Sequence, residues 1–231
     1  MIDMPSPGAA RSFWLQEALA DDPGAPAPPL EQHLVADVCI VGGGFAGLWT
    51  AIQLTEREPG LRIALIEQDI AGGGASGRNG GFLSASWFDV EAYLGLFGEE
   101  AGLRYGRAQA DAIDAIGAFV ADNGIDCWFH KDGTMGARTG EWQEGFGDGF
   151  AEFERLGIAD RVEMLSAEQT RARADSPRFL GGAFFPDGAV CQPARLARGL
   201  RRQRTDRTSG DVFYSGTARL GTGIFRDQIQ G

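Results

Sequence analysis

The sequence is poor in histidine and cysteine, and this shortage limits the chemistry to be considered. It has two histidines and three cysteines among 231 residues, and Cys39, Cys127 and Cys191 lie far apart along the chain. They share no metal-ligand or CxxC spacing, so we predict no metal site and no disulfide framework. An odd number of scattered cysteines is typical of reduced intracellular thiols, and a cytoplasmic location is therefore expected.

Basic side chains and long apolar runs are also scarce. Lys and Arg number 21 against 32 Asp and Glu, giving a net charge of −11, so a nucleic-acid partner is not expected. A late group of arginines is interpreted as a solvated helix face: Arg195, Arg198, Arg201, Arg202, Arg204 and Arg207. No apolar run reaches the roughly 18 residues of a membrane span, and no secretion signal begins the chain, so no membrane association is predicted.

Glycine, by contrast, is abundant, with 35 residues, and one glycine run lies between well-defined elements. Val35 to Val41 is a short apolar run typical of a buried parallel strand. Helical spacing follows from Phe45 to Glu58, and Leu61 to Ile66 predicts a second strand. This β-α-β order predicts an α/β fold with a Rossmann-like dinucleotide-binding domain.

The turn between the first strand and the helix has the spacing of a dinucleotide-binding motif. In Gly42-x-Gly44-x-x-Gly47, the first glycine permits a sharp turn, the second admits the pyrophosphate and the third lets the helix pack closely. Phe45 and Ala46 complete the turn, whose N–H groups and helix dipole attract phosphate. Glu67, at the end of the second strand, is placed to accept hydrogen bonds from the ribose hydroxyls. Its negative charge would repel a 2′-phosphate, which disfavours NADP. Gln68 beside it is included in the site. The alternative is a plain tight turn of an α/β protein.

A second Gly/Ser-rich loop covers residues 71–86, and it favours FAD over NAD. A flavin dinucleotide is bound along its whole length, so a second loop with an accessible backbone can contribute contacts to it. Arg78 is a candidate to offset pyrophosphate charge, and Asn79 to hydrogen-bond flavin or substrate. The alternative is a flexible surface loop. The predicted site residues of this loop are Gly74, Ala75, Ser76, Arg78, Asn79, Gly80 and Gly81.

These two segments carry a family resemblance. DVCIVGGGFAGLWTAIQL, followed by ALIEQDIAGGGASGRNGGF, resembles the start of FAD-dependent amine and amino-acid oxidases of the D-amino-acid oxidase superfamily, in particular the gamma-glutamylputrescine oxidase-like branch. VCQPARLARGL also resembles that branch. The similarity extends over roughly residues 12–204 and is most specific at 36–82.

The resemblance implies a Rossmann-like FAD/NAD(P)-binding domain with an interleaved, incomplete α+β substrate domain. We expect residues 1–34 to be an N-terminal arm and 35–88 to hold the FAD-binding βαβ unit with the second glycine loop. Residues 89–190 would be a helical region and part of the substrate domain, and 191–231 would return to the FAD-binding domain. Since family members are roughly twice as long, we expect a truncated member.

The activity implied by the resemblance is oxidation of the C–N bond of an amine or amino acid. Hydride would pass to flavin and then to oxygen, giving peroxide, with a gamma-glutamylputrescine-like substrate. The alternatives are a catalytically incomplete FAD-binding fragment that needs a missing C-terminal half, and an NAD-dependent dehydrogenase. The sequence does not indicate the oligomeric state.

No catalytic residue is assigned. His130 is expected at the surface, and the carboxylates of Asp126, Asp132 and Asp187 are interpreted as turn residues. Trp87, Phe88 and Trp128 are assigned to core packing rather than to an amine pocket. Elsewhere, the sequence predicts one long helix from Val90 to Asn123 and a hairpin over Ile125–Ala137.

Overall fold

The computed structural model describes residues 11–24, 27–30, 33–85, 87–143, 150–206 and 212–215. In these residues the helices are α1 (Phe13–Asp21), α2 (Phe45–Arg57), α3 (Val90–Phe97), α4 (Glu99–Asp122), α5 (Phe150–Arg155), α6 (Ala167–Arg173) and α7 (Pro193–Asp206). The strands are β1 (Val38–Val41), β2 (Ile63–Glu67), β3 (Phe82–Ser84), β4 (Thr134–Arg138), β5 (Glu163–Leu165), β6 (Gly181–Phe185), β7 (Gly188–Val190) and β8 (Val212–Ser215). The predicted α/β class is confirmed.

The chain divides into two compact units that alternate along the sequence. Unit 1 comprises residues 1–80, 123–127 and 192–231, and unit 2 comprises residues 81–122 and 128–191. The sheet of unit 1 is parallel, with the strand order β1-β2-β8. Parallel neighbours need a crossover, which α2 supplies between β1 and β2. The carboxyl ends of β1 and β2 therefore lie at the same edge, where the glycine turn begins.

The core of unit 1 is built from the apolar sides of α2 and β2. Leu48, Ala51 and Ile52 of α2 are buried, as are Ile63 and Leu65 of β2. Such a near-continuous apolar run suits a strand covered on both faces. Helix α2 and strand β2 are thus formed as the sequence predicts, whereas β1 is not the buried strand predicted, because Cys39 and Val41 on it are exposed.

Helix α1 lies inside the predicted N-terminal arm and packs against α7. Ser12 caps α1, because its Oγ accepts a hydrogen bond from the Leu15 N–H at 3.1 Å. Leu15 and Ala18 are buried against Ala194 of α7. The predicted N-terminal arm therefore contains a helix with a buried apolar side, flanked by segments that are rich in Pro and Gly.

The same contact corrects the interpretation of the late arginines as a solvated face. Arg195 donates through Nε to Glu17 Oε2 at 2.9 Å, and this hydrogen bonding raises the pKa of Arg195. Arg198 is buried, with its guanidinium donating to the carbonyls of Asp22 and Pro23, and burial lowers its pKa. The prediction is wrong for these two residues because α1 covers them; Arg207 lies outside the described residues.

Unit 2 contains antiparallel sheets and the longest helix. Strands β4, β6 and β5 form one sheet in that order, and β3 pairs with β7. The predicted hairpin over 125–137 is wrong, because β4 pairs with β6 and His130 bridges to Val190. The predicted single helix is divided into α3 and α4 at Gly98, whose φ of 77° favours glycine.

The core of unit 2 is formed by aromatic and aliphatic side chains from several of its helices and strands. Trp87 is only 2% exposed and packs with Val90, Ile113, Phe153 and Ile158. The predicted packing role of Trp87 is confirmed. Along the described ranges no helix is long and apolar enough to cross a membrane.

Candidate cofactor-binding site

The first glycine turn joins β1 to α2 and is built by close approach of backbone atoms. Gly42, directly after β1, has a φ of 110°, a value that residues other than glycine rarely adopt. A Cβ added at Gly47 would overlap the carbonyl oxygen of Gly42. Both positions therefore require glycine, for the reasons that the motif predicts: a sharp turn out of the strand and a close helix.

The N-terminus of α2 offers N–H groups at this turn. Gly44 is the N-cap in extended conformation and has no side chain to accept a helix N–H. The Phe45 N–H donates to Ser76 Oγ at 2.9 Å, whereas helix geometry gives the N–H groups of Ala46 and Gly47 no intrahelical acceptor. These two donors and the helix dipole form a positive end suited to an anion.

Glu67 lies against the first turn. Its Oε2 accepts the Gly43 N–H at 2.6 Å, and its Oε1 accepts the Asp69 N–H at 3.0 Å. A carboxylate has about four lone-pair positions, so each oxygen retains capacity for one further donor. Gln68 is exposed beside it. The structure thus brings the predicted acid to the turn, and its bond to a ribose stays a prediction.

The second glycine loop repeats the spacing of the first turn. Gly72-x-Gly74-x-x-Gly77 precedes a short 3-10 turn at Ala75–Gly77, as Gly42-x-Gly44-x-x-Gly47 precedes α2. Gly72 has a φ of 77°, and a Cβ at Gly77 would overlap the Gly72 carbonyl oxygen. Sequence reasoning began the site at Gly74 and missed Gly72 and Gly77. The repeated spacing was the signal that could have found them.

The two loops are bonded to each other within unit 1. The Gly72 N–H donates to the Gly43 carbonyl at 3.0 Å. Ser76 accepts the Phe45 N–H, and a Cβ at Gly44 would lie 2.9 Å from Ser76 Oγ. Hydrogen bonds therefore attach the second loop to the first turn, so it is not an unattached surface loop.

The polar side chains of the second loop bind their own backbone in this structure. Arg78 donates through Nε to the Gly73 carbonyl at 2.8 Å. Asn79 donates through Nδ2 to the carbonyls of Ala75 and Ser76 at 3.2 and 3.1 Å. Both residues are exposed, as is Gly80, whereas Gly81 is buried at the start of unit 2 with a φ of 76°.

The catalytic candidates considered from sequence lie in several places. His130 is exposed, as predicted, and so are Asp126 and Asp132. Phe88 is exposed, contrary to the predicted core role, and lines an apolar cavity of about 540 Å³ within unit 2. Trp128 is also exposed, with a φ of 53°. Among the described residues, no group of three or more His, Cys, Asp or Glu side chains could hold a metal.

Asp187 is the polar residue whose position sequence reasoning misjudged most. It is buried, and its Oδ2 accepts the indole N–H of Trp87 at 2.8 Å and the Arg161 guanidinium at 3.0 Å. The hydrogen bond that Arg161 donates to Asp187 raises the pKa of Arg161. Asp187 lies in the turn between β6 and β7, as the sequence predicts, but its side chain is buried because it bonds to Trp87 and Arg161, which are distant in sequence.

Comparison with known proteins is consistent with this geometry. A family model described as "FAD dependent oxidoreductase" matches residues 37–219. Gamma-glutamylputrescine oxidoreductase of Escherichia coli K12 is 30% identical over 176 residues, which are 76% of this chain and 41% of the relative. A probable oxidoreductase of Haemophilus influenzae, OrdL, is 27% identical over 184 residues, again 41% of its length. The chain therefore spans about two fifths of the length of these relatives.

Solved structures share the fold. Glycine oxidase from Geobacillus kaustophilus superposes with a TM-score of 0.61 at 22% identity, covering 78% of this chain and 46% of that one. L-amino acid deaminase from Proteus myxofaciens superposes with a TM-score of 0.62 at 18% identity, covering 89% and 42% respectively. At these identities the likeness establishes the fold.

Proposed function

Because this chain belongs to the family of FAD-dependent oxidoreductases, we propose that its two bonded glycine loops hold the adenosine diphosphate half of FAD and that the protein oxidises an amine or amino acid. The observation that carries the binding proposal is the contact between the loops at the carboxyl edge of β1 and β2. Ligands of open α/β sheets bind at this edge.

The residues present fit an adenosine diphosphate group. A Cβ at Gly42 would meet open space, so the turn would leave room for a pyrophosphate there, and helix geometry leaves the N–H groups of Ala46 and Gly47 as donors without an intrahelical acceptor. Glu67, held by Gly43 and Asp69, would accept the ribose hydroxyls with its remaining lone pairs. Its charge would repel a 2′-phosphate, which disfavours NADP.

Arg78 and Asn79 take supporting roles in this proposal. Arg78 is exposed beside the loop, so that its charge can offset part of the pyrophosphate charge. Asn79 holds the turn at Ala75 and Ser76, and the Ser76 hydroxyl in turn receives the Phe45 N–H. The side chains of the second loop would thus keep its backbone in shape for the cofactor.

The reaction proposed for the whole protein is oxidation of a C–N bond. FAD, when bound, would supply the acceptor for two electrons from the substrate carbon, and oxygen would receive them as peroxide. The imine product would hydrolyse to a carbonyl compound. The similarity to gamma-glutamylputrescine oxidoreductase favours a gamma-glutamylputrescine-like amine as substrate.

Ligand competition tests the binding proposal. The purified chain is titrated with FAD by flavin fluorescence, and the titration is repeated with excess ADP and, separately, with riboflavin in place of FAD. We expect ADP to compete with FAD and riboflavin alone to bind far more weakly. Binding of NAD in preference to FAD would overturn the proposal and favour a dehydrogenase.

A matched pair of variants tests the role of Glu67. Glu67→Gln removes the negative charge at the turn and is expected to weaken FAD binding about tenfold, the effect of one lost charge-assisted hydrogen bond. Glu58→Gln, at the exposed far end of α2, is the control and should leave the affinity unchanged. Equal effects of the two substitutions would contradict the assignment.

Turnover is measured separately from binding. The FAD-loaded chain is mixed with gamma-glutamylputrescine, putrescine or glycine, and peroxide is assayed. Peroxide with one of these amines supports the complete proposal. Bound flavin without turnover supports the binding half alone and favours the alternative of an FAD-binding fragment that needs further sequence for catalysis.

A further inference from the structure

Helix α1 begins in contact with the second glycine loop. The Ser12 hydroxyl donates its proton to the Gly77 carbonyl at 2.6 Å while its oxygen accepts the Leu15 N–H at 3.1 Å. One side chain therefore caps the helix and bonds the loop. Since Gly77 also packs on the Gly72 carbonyl, the bond from Ser12 reaches the most crowded point of the loop.

The residue before this cap binds next to Glu67. The Arg11 guanidinium makes two hydrogen bonds to the Asp69 carboxylate, one of them from Nη2 to Oδ1 at 2.9 Å. Both side chains are partly buried, and the bond raises the pKa of Arg11. The Asp69 N–H in turn donates to Glu67, whose other oxygen holds Gly43. Arg11 is thus linked through Asp69 and Glu67 to the first glycine turn, and Asp69 lies three residues before the second loop begins at Gly72.

Helix α7 and the residue directly before it hold α1 in place. That residue, Gln192, donates through Nε2 to the Trp14 carbonyl at 2.7 Å and to Glu17 Oε2 at 2.6 Å. The same helix also packs on the loop. A Cβ at Gly77 would lie 3.3 Å from that of Ala194, and one at Gly72 would lie 2.9 Å from that of Ala197. The loop is therefore in contact with both helices.

We propose that residues Arg11–Asp21 form an N-terminal clasp that holds the second glycine loop in its cofactor-binding shape, with Arg11 and Ser12 as positioning residues. The inference rests on the proposed place of FAD. Residues 72–77 carry only Gly, Ala and Ser, so they have few side-chain contacts of their own with which to offset the entropy of an ordered backbone. A clasp that orders the loop beforehand removes that cost from FAD binding.

Three substitutions separate the clasp from general helix stability. Ser12→Asp keeps a capping oxygen for Leu15 but has no proton for Gly77, and Arg11→Met keeps the length of the side chain without its charge. Arg11→Lys is the conservative variant and should recover part of the loss. The control is Arg62→Met, which breaks a two-bond contact with Asp37 elsewhere in unit 1.

FAD affinity is the first measurement. Ser12→Asp and Arg11→Met are each expected to raise the Kd about tenfold, since the first removes the hydrogen bond to Gly77 of the loop and the second removes the contact with Asp69 at the approach to the loop, while Arg62→Met should change it less than about twofold. If the unaltered chain binds FAD and both clasp variants bind it equally well, the proposal is overturned.

Hydrogen exchange of the cofactor-free chain is the second measurement. In Arg11→Met and Ser12→Asp we expect faster exchange at residues 72–78 and unchanged exchange in β1 and β2, with the Arg62→Met control like the unaltered chain. Should the unaltered chain bind no FAD, the proposed function fails by itself, and exchange alone decides on the clasp. Equal exchange at 72–78 in all variants would then refute it.

Discussion

Two glycines of the unit 1 loops and two glycines of helix α4 in unit 2 make close contacts with different kinds of atoms. In unit 1, a side chain at Gly47 or Gly77 would overlap the carbonyl oxygen of another glycine in the same loop. In unit 2, a side chain at Gly106 would overlap the ring of Trp87, and one at Gly117 would contact the ring of Phe129. Contacts between backbone atoms fix the shape of the two loops, whereas contacts of helix backbone with aromatic rings help to fill the core of unit 2.

The polar contacts of the two units differ in the same way. Glu67 of unit 1 is bonded to two backbone N–H groups, whereas Asp187 of unit 2 is bonded to the side chains of Trp87 and Arg161. The acid of unit 1 thus orders the backbone at the proposed cofactor site, and the acid of unit 2 completes a packed interior. We expect substitutions in the two units to have different consequences for stability and for FAD binding.

The largest loss of stability is expected for Trp87→Ala in unit 2. The change empties a fully buried site and removes the indole donor from Asp187, so it should cost about 3–5 kcal/mol of unfolding free energy. Trp142→Ala is the control, because Trp142 is 82% exposed and its loss should cost less than about 0.5 kcal/mol. Urea unfolding measures both, and equal costs would contradict the assigned core.

Gly47→Ala should give the next largest effect and should act on the cofactor. A Cβ there meets the Gly42 carbonyl, which cannot move without opening the turn, so we expect a cost of about 1–3 kcal/mol. The affinity for FAD should fall at least about tenfold. Gly60→Ala is the matched control, since a Cβ at Gly60 meets open space. If both variants bind FAD equally, the close approach at Gly47 has no part in binding.

Asp187→Asn tests whether the acid of unit 2 is structural. An amide retains an oxygen for the Trp87 N–H but loses the charge that faces Arg161, so we expect a cost of about 1–2 kcal/mol. Affinity for FAD should stay within about twofold, because this acid serves the interior of unit 2. Calorimetric unfolding and the flavin titration measure the two effects. A large loss of FAD affinity at unchanged stability would contradict the division between the units.

The features that the sequence predicts correctly depend on local spacing. Gly42, Gly44 and Gly47 lie within a stretch of six residues, and the strand, turn and helix around them follow from periodicity and backbone geometry. Glu67 is found because it ends the next strand of the same unit. The second loop over residues 71–86 is predicted from composition, but the site residues assigned to it begin only at Gly74, because composition does not show that its glycine spacing repeats that of the first turn.

The features that were missed depend on partners distant in sequence. The hairpin over 125–137 was wrong because β4 finds its partner in β6, and pairing across such a separation has no local pattern. Asp187 was misjudged because its burial depends on Trp87. Arg195 and Arg198 were misjudged because α1 covers them from the start of the chain. In each case a contacting residue distant in sequence determines the role of the strand or side chain, and local composition does not identify that residue.

The smallest effect is expected from acid titration of the contact between α1 and α7. Hydrogen bonding to Arg195 lowers the pKa of Glu17 below its ordinary value of 4.5, so the stabilisation is present above that value and is lost as the pH falls through the lowered pKa. Glu17→Gln should therefore cost about 1 kcal/mol or less at pH 7, and the difference from the unaltered chain should shrink below about pH 4.5.

Glu152→Gln in unit 2 is the comparison, because Arg155 also lowers the pKa of Glu152 but in a pair exposed to solvent. Screening by water should make its pH-dependent difference smaller, and urea unfolding at pH 7 and pH 3.5 measures both. A larger difference for Glu152 than for Glu17 would show that the contact of α1 with α7 adds nothing beyond a surface ion pair.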